Sequence, residues 1–262
     1  MKWKIFPKRS DDLIEQLLIN RGITSKKQKE QFFNPNISNF KKDSQIPNID
    51  KANRRILKAI EAGELIIIYG DYDVDGISAS AILYKGLTSL GAKVLPYIPH
   101  REKEGYGLSK LGLEFAKSVG ASVVITVDCG IVAIEQAKFA KQLGLDLIIT
   151  DHHQPQNTLP DAFAIVHSTK MCGAAVAWCL IKEIIKKDLE LDFLQFVALA
   201  TVCDLLPLIG LGRAFAVEGL KIVNKTTNLG LLALINESGI RLGDIGSYEV
   251  GHIIGPRLNA IG

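Results

Sequence analysis

The chain has 262 residues, a formal net charge of +3, 47% hydrophobic residues and 23% charged residues. A balance this near to neutral excludes a polybasic nucleic-acid tail, and the ordinary globular composition excludes disorder and fibrous repeats. A chain of this length is expected to bury a sizeable core, as one large domain or two smaller ones.

Residues 1–46 are polar and Lys-rich. Lys2, Lys4, Lys8 and Arg9 are not followed by the apolar run of a signal peptide, and no window approaches 18 uninterrupted apolar residues, so a soluble, cytoplasmic protein without a membrane partner is expected. Leu13, Leu17, Leu18, Phe32 and Phe33 give a weak amphipathic signal that stops at Asn34-Pro35-Asn36, which reads as a helical lead-in over 1–46. Short β-branched runs then alternate with helix-length segments. The runs lie at 65–69, 93–98, 123–127, 147–150 and, more weakly, 164–166, with helices expected near 77–90, 109–119 and 131–143. Apolar runs buried on both faces and each followed by a helix predict an α/β domain over 47–170, built on a doubly wound, mainly parallel sheet. After Cys172 the strand signal vanishes. Segments near 173–187, 191–203, 213–224, 229–237 and 247–254 predict a mostly helical part over 171–262 that completes the core. Cys129, Cys172, Cys179 and Cys203 form no Cys-x-x-Cys pair and no disulfide framework, which agrees with a reducing compartment.

Ligands of open parallel sheets bind beyond the carboxyl ends of the strands. The residues at those ends are Asp71-Tyr72-Asp73-Val74-Asp75-Gly76, Pro99-His100-Arg101, Asp128-Cys129-Gly130 and Asp151-His152-His153. Carboxylates and imidazoles without thiolate pairs are ligand chemistry for Mn²⁺, Mg²⁺ or a similar divalent ion, and a carboxylate such as Asp128 can bridge two ions. Two such ions suit phosphoester hydrolysis.

Each motif alone admits other readings. Asp71-x-Asp73-x-Asp75-Gly76 matches the first half of an EF-hand loop, but Ile82 stands where that loop has Glu and a strand precedes it. Asp-x-Asp after a strand also suits an aspartyl-phosphate nucleophile, although Asp75 is not the Thr or Val of such enzymes. Any single Asp here is also compatible with turn or helix-cap chemistry, as is Asp128-Cys129-Gly130. His167 and His252 read as ordinary surface or core histidines.

In order, Asp71 to Gly76, Asp128-Cys129-Gly130 and Asp151-His152-His153 resemble the motifs of the DHH phosphoesterase superfamily. Pro99-His100-Arg101 with Gly105-Tyr106-Gly107-Leu108, Ala200 to Leu208, and Gly255-Pro256-Arg257-Leu258-Asn259-Ala260 resemble its RecJ branch of single-strand-specific 5′-to-3′ DNA exonucleases, over about residues 11–262. The resemblance implies Asp73, Asp75, Asp128, His152 and Asp204 as metal ligands, with Asp71 either orienting that set or serving a turn. It implies two Mn²⁺ or Mg²⁺ ions, and His153 acting with Asp128 and Arg101 at the scissile phosphate. It also implies Arg101, His100, Tyr106, Arg257 and Asn259 as substrate contacts, single-stranded DNA as substrate, and a role in DNA repair and recombination beside a single-strand-binding protein or helicase.

The family usually has Pro-Asn-Arg where this chain has Pro99-His100-Arg101, so His100 adds an imidazole near the site. His167-Ser168-Thr169-Lys170 replaces an Asn-Pro and a longer loop, and the sequence ends at Ala260-Ile261-Gly262, inside a motif that relatives continue with Arg. The expectation is therefore the catalytic portion of a longer protein whose strand-holding domains lie beyond it. Two alternatives stand beside this one: a phosphoesterase for short oligoribonucleotides or small phosphorylated nucleotides, and a catalytically silent replisome scaffold. An aromatic content of 7% with a charge of +3 supplies little of the basic, stacking track that single-strand binders use.

Overall fold

The β-branched runs pair as five strands in a computed structural model, which describes residues 5–260: β1 (Leu65–Gly70), β2 (Lys93–Tyr97), β3 (Ala121–Val127), β4 (Asp146–Asp151) and β5 (Ala164–His167). Lys2, Lys4 and the terminal Ile261-Gly262 lie outside the described residues. The strands form one sheet in the order β2-β1-β3-β4-β5, and every pairing is parallel. Because the order reverses between β1 and β3, the crevice beyond their carboxyl ends is the switch point at which such sheets bind ligands.

Three pieces precede the sheet: α1 (Leu13–Asn20), α2 (Lys26–Phe33) and α3 (Ile49–Glu61), with a 3-10 turn at Ile37–Phe40. Helices α4 (Val74–Ser89), α5 (Arg101–Glu104), α6 (Lys110–Ser118) and α7 (Ile134–Gln142) connect the strands. Beyond β5 the chain is helical: α8 (Gly173–Ile181), α9 (Lys187–Asp192), α10 (Leu194–Cys203), α11 (Gly210–Val223), α12 (Leu229–Glu237), α13 (Ser247–Glu249), a π turn at Val250–Ile254, and α14 (Gly255–Asn259).

Side chains alternate across the sheet as strand geometry requires. Ile66, Ile68, Val123, Ile125, Val127 and Ile148 enter a large core shared with α3, α4, α8, α10 and α11. Ile67, Tyr69, Val124 and Ile149 enter a smaller one with α6 and α7. Fully burying each such branched side chain contributes about 1.5–3 kcal/mol. The helical second half thus shares its core with the sheet, and α4, which starts at Val74, is clamped between them.

The helices differ from the sequence expectation in several places, the short α5 and α14 among them. Helix α3 was not expected, although Ala52, Ile56 and Ala59 recur on one face at helical spacing and are all fully buried. The stretch expected at 131–143 turns first and becomes helical only at Ile134. The one expected at 173–187 ends at Ile181, after which α9 and α10 are distinct helices. The run at 247–254 divides into α13 and the π turn, a form that often marks functional sites.

Candidate metal centre

Four strand ends and one helix end meet at the switch point. After β1, the amide of Asp71 still donates to Val127 O at 3.3 Å, and its buried carboxylate accepts from the Tyr72 amide at 2.8 Å. Asp73 is the N-cap of α4: its Oδ1 accepts from Gly76 N at 3.0 Å. Gly76 is obligatory, since a Cβ there would sit 2.5 Å from the Asp71 carbonyl oxygen. Asp75 projects from the first turn of α4 and caps a different helix, its two oxygens accepting from Gly173 N and Ala174 N of α8, both at 2.6 Å. The cap chemistry considered for these aspartates is therefore present at Asp73 and Asp75, and it orients both carboxylates on the rim.

Asp128 follows β3 in the left-handed region, φ 61°, a conformation Asp tolerates better than most residues. Its amide continues the β ladder to Thr150 O at 3.1 Å. Gly173 lets α8 approach, because a Cβ on that residue would lie 2.7 Å from Asp128 Cβ. Asp128 is only 1% exposed, and its Oδ1 has no hydrogen-bond donor. His152 Nε2 comes within 3.0 Å of that oxygen but not in hydrogen-bonding geometry. The same imidazole nitrogen lies 3.5 Å from Asp75 Oδ2 and 3.8 Å from Asp204 Oδ2, Asp204 being the C-cap of α10. Three overlapping groups have their ligand atoms within 4.8 Å of one another: Asp71, Asp73 and Asp128; Asp75, His152 and Asp204; Asp128, His152 and His153.

Such crowding has electrostatic consequences. Burial raises the Asp71 carboxyl to about 6, against the opposing Tyr72 amide. Burial also raises Asp75, despite its two amide donors, and Asp204, with Asp73 adding to it. Asp128 is raised furthest, by burial first and then by Asp75, Asp73, Asp151 and Asp71. His152 moves the opposite way, to about 4, through burial and the neighbouring His153. In this state Asp128 keeps its proton at neutral pH and His152 is neutral, so a cation held there would displace protons.

His153 is set apart by Asp151. Asp151 Oδ1 accepts from His153 Nδ1 at 2.8 Å and from the amides of His152 and His153, while Oδ2 accepts from Ile131 N at 2.8 Å. Although burial would raise Asp151, these donors hold it below the usual carboxylate range, and its hydrogen bond raises His153. With Nδ1 engaged, His153 Nε2 faces the Tyr106 hydroxyl at 3.2 Å.

The remaining predicted residues take several positions. The Arg101 guanidinium lies over the Tyr72 ring, 5.2 Å from its centroid. His100 is the N-cap of α5, with Nδ1 accepting from Glu102 N at 3.2 Å. Asn259 Oδ1 accepts from Val74 N at 2.9 Å, tying α14 to the start of α4. Arg257 is exposed and donates to Ile253 O at 2.8 Å. Asp151 was placed at the strand end by the sequence but given no role, and two further contributors were missed. Gly173 leaves no signal in a single sequence. His167, read as an ordinary histidine, pairs with Asp151 in register and reaches His153 O at 2.7 Å through Nε2; the weak run at 164–166 was the available clue.

A family model, "DHH family, N-terminal domain", matches residues 65–201. The single-stranded-DNA-specific exonuclease RecJ of Bacillus subtilis (strain 168) is 39% identical over 259 residues, 95% of this chain and 33% of that protein. A crystal structure of exonuclease RecJ bound to manganese aligns with TM-score 0.75 and 33% identity, covering 82% of this chain and 57% of that one. RecJ from Thermus thermophilus in complex with Mn²⁺ aligns with TM-score 0.75 and 29% identity, covering 92% and 35%. The chain spans about a third to a half of the length of the curated relatives it matches. With more than half of its length matched by the family model, and that model's span holding the strand ends that converge on one rim, the chain belongs to the DHH family.

Proposed function

We propose that the chain is the catalytic unit of a metal-dependent phosphodiesterase that degrades single-stranded DNA from its 5′ end. The observation that carries the chemistry is Asp128 Oδ1: a buried acceptor with no donor, surrounded by further acceptors. Buried polar atoms are rarely left so, and a divalent cation would satisfy all of them together. Asp71, Asp73, Asp75, Asp128, His152 and Asp204 would hold two ions, and hard oxygens with one imidazole suit Mn²⁺ or Mg²⁺. When bound, two such ions polarise a phosphoryl group and lower the pKa of a coordinated water.

The chain's own residues do the rest. Asp151 fixes His153 so that Nε2 can donate to a phosphoryl oxygen, and stabilises its charged form. Arg101, with His100, Tyr106, Arg257 and Asn259, binds the phosphate and flanking nucleotide. Ligands come from both sides of the chain's midpoint, so we take 47–170 and 171–262 as one catalytic core, with 1–46 as a lead-in. The DNA reading rests on the relatives, which are single-stranded-DNA-specific exonucleases. Single strands arise where a helicase or a single-strand-binding protein acts, as in repair and recombination, and these are the expected partners. Four free cysteines fit the cytoplasm, and among the described residues no helix is long and apolar enough to cross a membrane.

The test is hydrolysis of a 5′-phosphorylated single-stranded DNA of about 20–30 nucleotides, labelled at either end, beside a dinucleotide RNA, with Mn²⁺. Progressive loss from the 5′ end supports the proposal. Cleavage of the dinucleotide alone assigns a short-substrate phosphoesterase, and inactivity on both leaves a scaffold.

A further inference from the structure

Helix α10 delivers Asp204 to the metal centre, and the residue that follows is unusual. Leu205 has φ 54° and is 87% exposed. Its amide donates to Val202 O at 3.2 Å and the Leu206 amide to Thr201 O at 3.3 Å, the paired bonds that close a helix through a left-handed residue. Glycine normally fills that position because a bulky side chain is strained there. Nothing in the turn needs a leucine. Leu206 and Leu208 anchor it by packing against the main core, and Cys203 is held by Val250 O at 3.8 Å. The chain therefore keeps a strained, exposed apolar side chain one residue from a carboxylate that lies 3.8 Å from His152. Local strain retained without a packing role points to a functional contact.

We infer that Leu205 packs against a nucleobase of the substrate, next to the scissile phosphate. This rests on the phosphodiesterase reading above. The occupant follows from position: a strand whose phosphate sits among Asp128, His152 and Asp204 carries its bases past the edge of the site, where Leu205 directly follows Asp204 and is 87% exposed, and where Tyr106, 55% exposed, touches His153. Every base offers an apolar face, so the contact adds affinity without sequence preference.

The test compares the wild-type chain with Leu205→Asn and Leu205→Met, measuring melting temperature and the KM and kcat for a 5′-phosphorylated oligodeoxynucleotide and for its counterpart with abasic residues at the 5′ end. Asn tolerates the left-handed region, so Leu205→Asn should melt at or above the wild-type temperature. Its KM for ordinary DNA should rise about threefold to tenfold through lost apolar contact, with kcat little changed, while Leu205→Met stays near wild type. On the abasic strand the three proteins should converge. A lower melting temperature for Leu205→Asn would assign Leu205 to packing and overturn the inference. An unchanged KM on ordinary DNA would overturn it too, and would leave a protein surface as the partner. A wild-type chain that hydrolyses nothing in Mn²⁺ overturns the phosphodiesterase reading and this inference with it.

Discussion

Replacing Asp128 with Asn should make the metal-free protein more stable while removing its affinity for Mn²⁺. Asp128 is 1% exposed, surrounded by Asp71, Asp73, Asp75 and Asp151, and its carboxyl is raised far above the ordinary 3.8 by burial and by those neighbours. The folded chain therefore keeps a proton that the unfolded chain releases above about pH 4. Stability then falls as pH rises from there, by about 1.4 kcal/mol per pH unit, reaching a cost of about 4 kcal/mol near pH 7. Asn has no proton to lose, and its amide can donate to the acceptors around it. In EDTA, Asp128→Asn should equal the wild type near pH 4 and melt above it near pH 7. At about 2–4 °C per kcal/mol the gain is roughly 8–16 °C at most. Saturating Mn²⁺ should reverse the order by raising the wild-type melting temperature, by about 3 kcal/mol of binding energy per ion at a hundred times Kd and so about 5 kcal/mol for two ions. Calorimetry across pH in EDTA and in Mn²⁺ checks both halves. A mutant that melts below the wild type at pH 7 in EDTA, or gains as much from Mn²⁺, would refute the reasoning.

Three further substitutions separate the roles of the rim. Asp151→Asn removes the acceptor that orients and charges His153, and should lower kcat about 10–100-fold with KM nearly unchanged; an unaltered kcat counts against the positioning role. Arg101→Ala should raise the KM for 5′-phosphorylated DNA about tenfold, as the loss of a charge-assisted contact to phosphate, with the melting temperature unchanged; an unchanged KM removes Arg101 from phosphate binding. Gly173→Ala drives a methyl to within 2.7 Å of Asp128 Cβ, and should destabilise the chain by about 1–3 kcal/mol and weaken Mn²⁺ binding. Retention of both would mean that α8 shifts freely.

Much of this architecture was legible because local patterns and global fold agree. The five β-branched runs became the five strands, and the polar residues after them converged because parallel strands place all their carboxyl ends on one edge. Asp204 was identified only through resemblance. It stands at the end of a helix far along the chain, where periodicity says nothing about what the residue faces. Helix α3 carried a readable pattern in Ala52, Ile56 and Ala59 that the polar residues between them obscured. The break after Ile181 had no Gly or Pro to announce it; the chain turns there while Trp178 Nε1 donates across to Glu190 O at 2.9 Å, a tertiary contact. Gly173 and His167 were missed for the same reason, since one matters through its distance to Asp128 and the other through its register with Asp151.

Counting Mn²⁺ ions bound per chain is the most direct test of a metal centre built from these residues. Isothermal titration of the wild-type chain, Asp128→Ala and Asp204→Ala, with released protons read from buffers of different ionisation enthalpy, makes that count. The account predicts two ions on the wild type with net proton release near neutral pH, and loss of binding at Asp128→Ala. Wild-type binding unchanged by either substitution, or no binding at all, would contradict it.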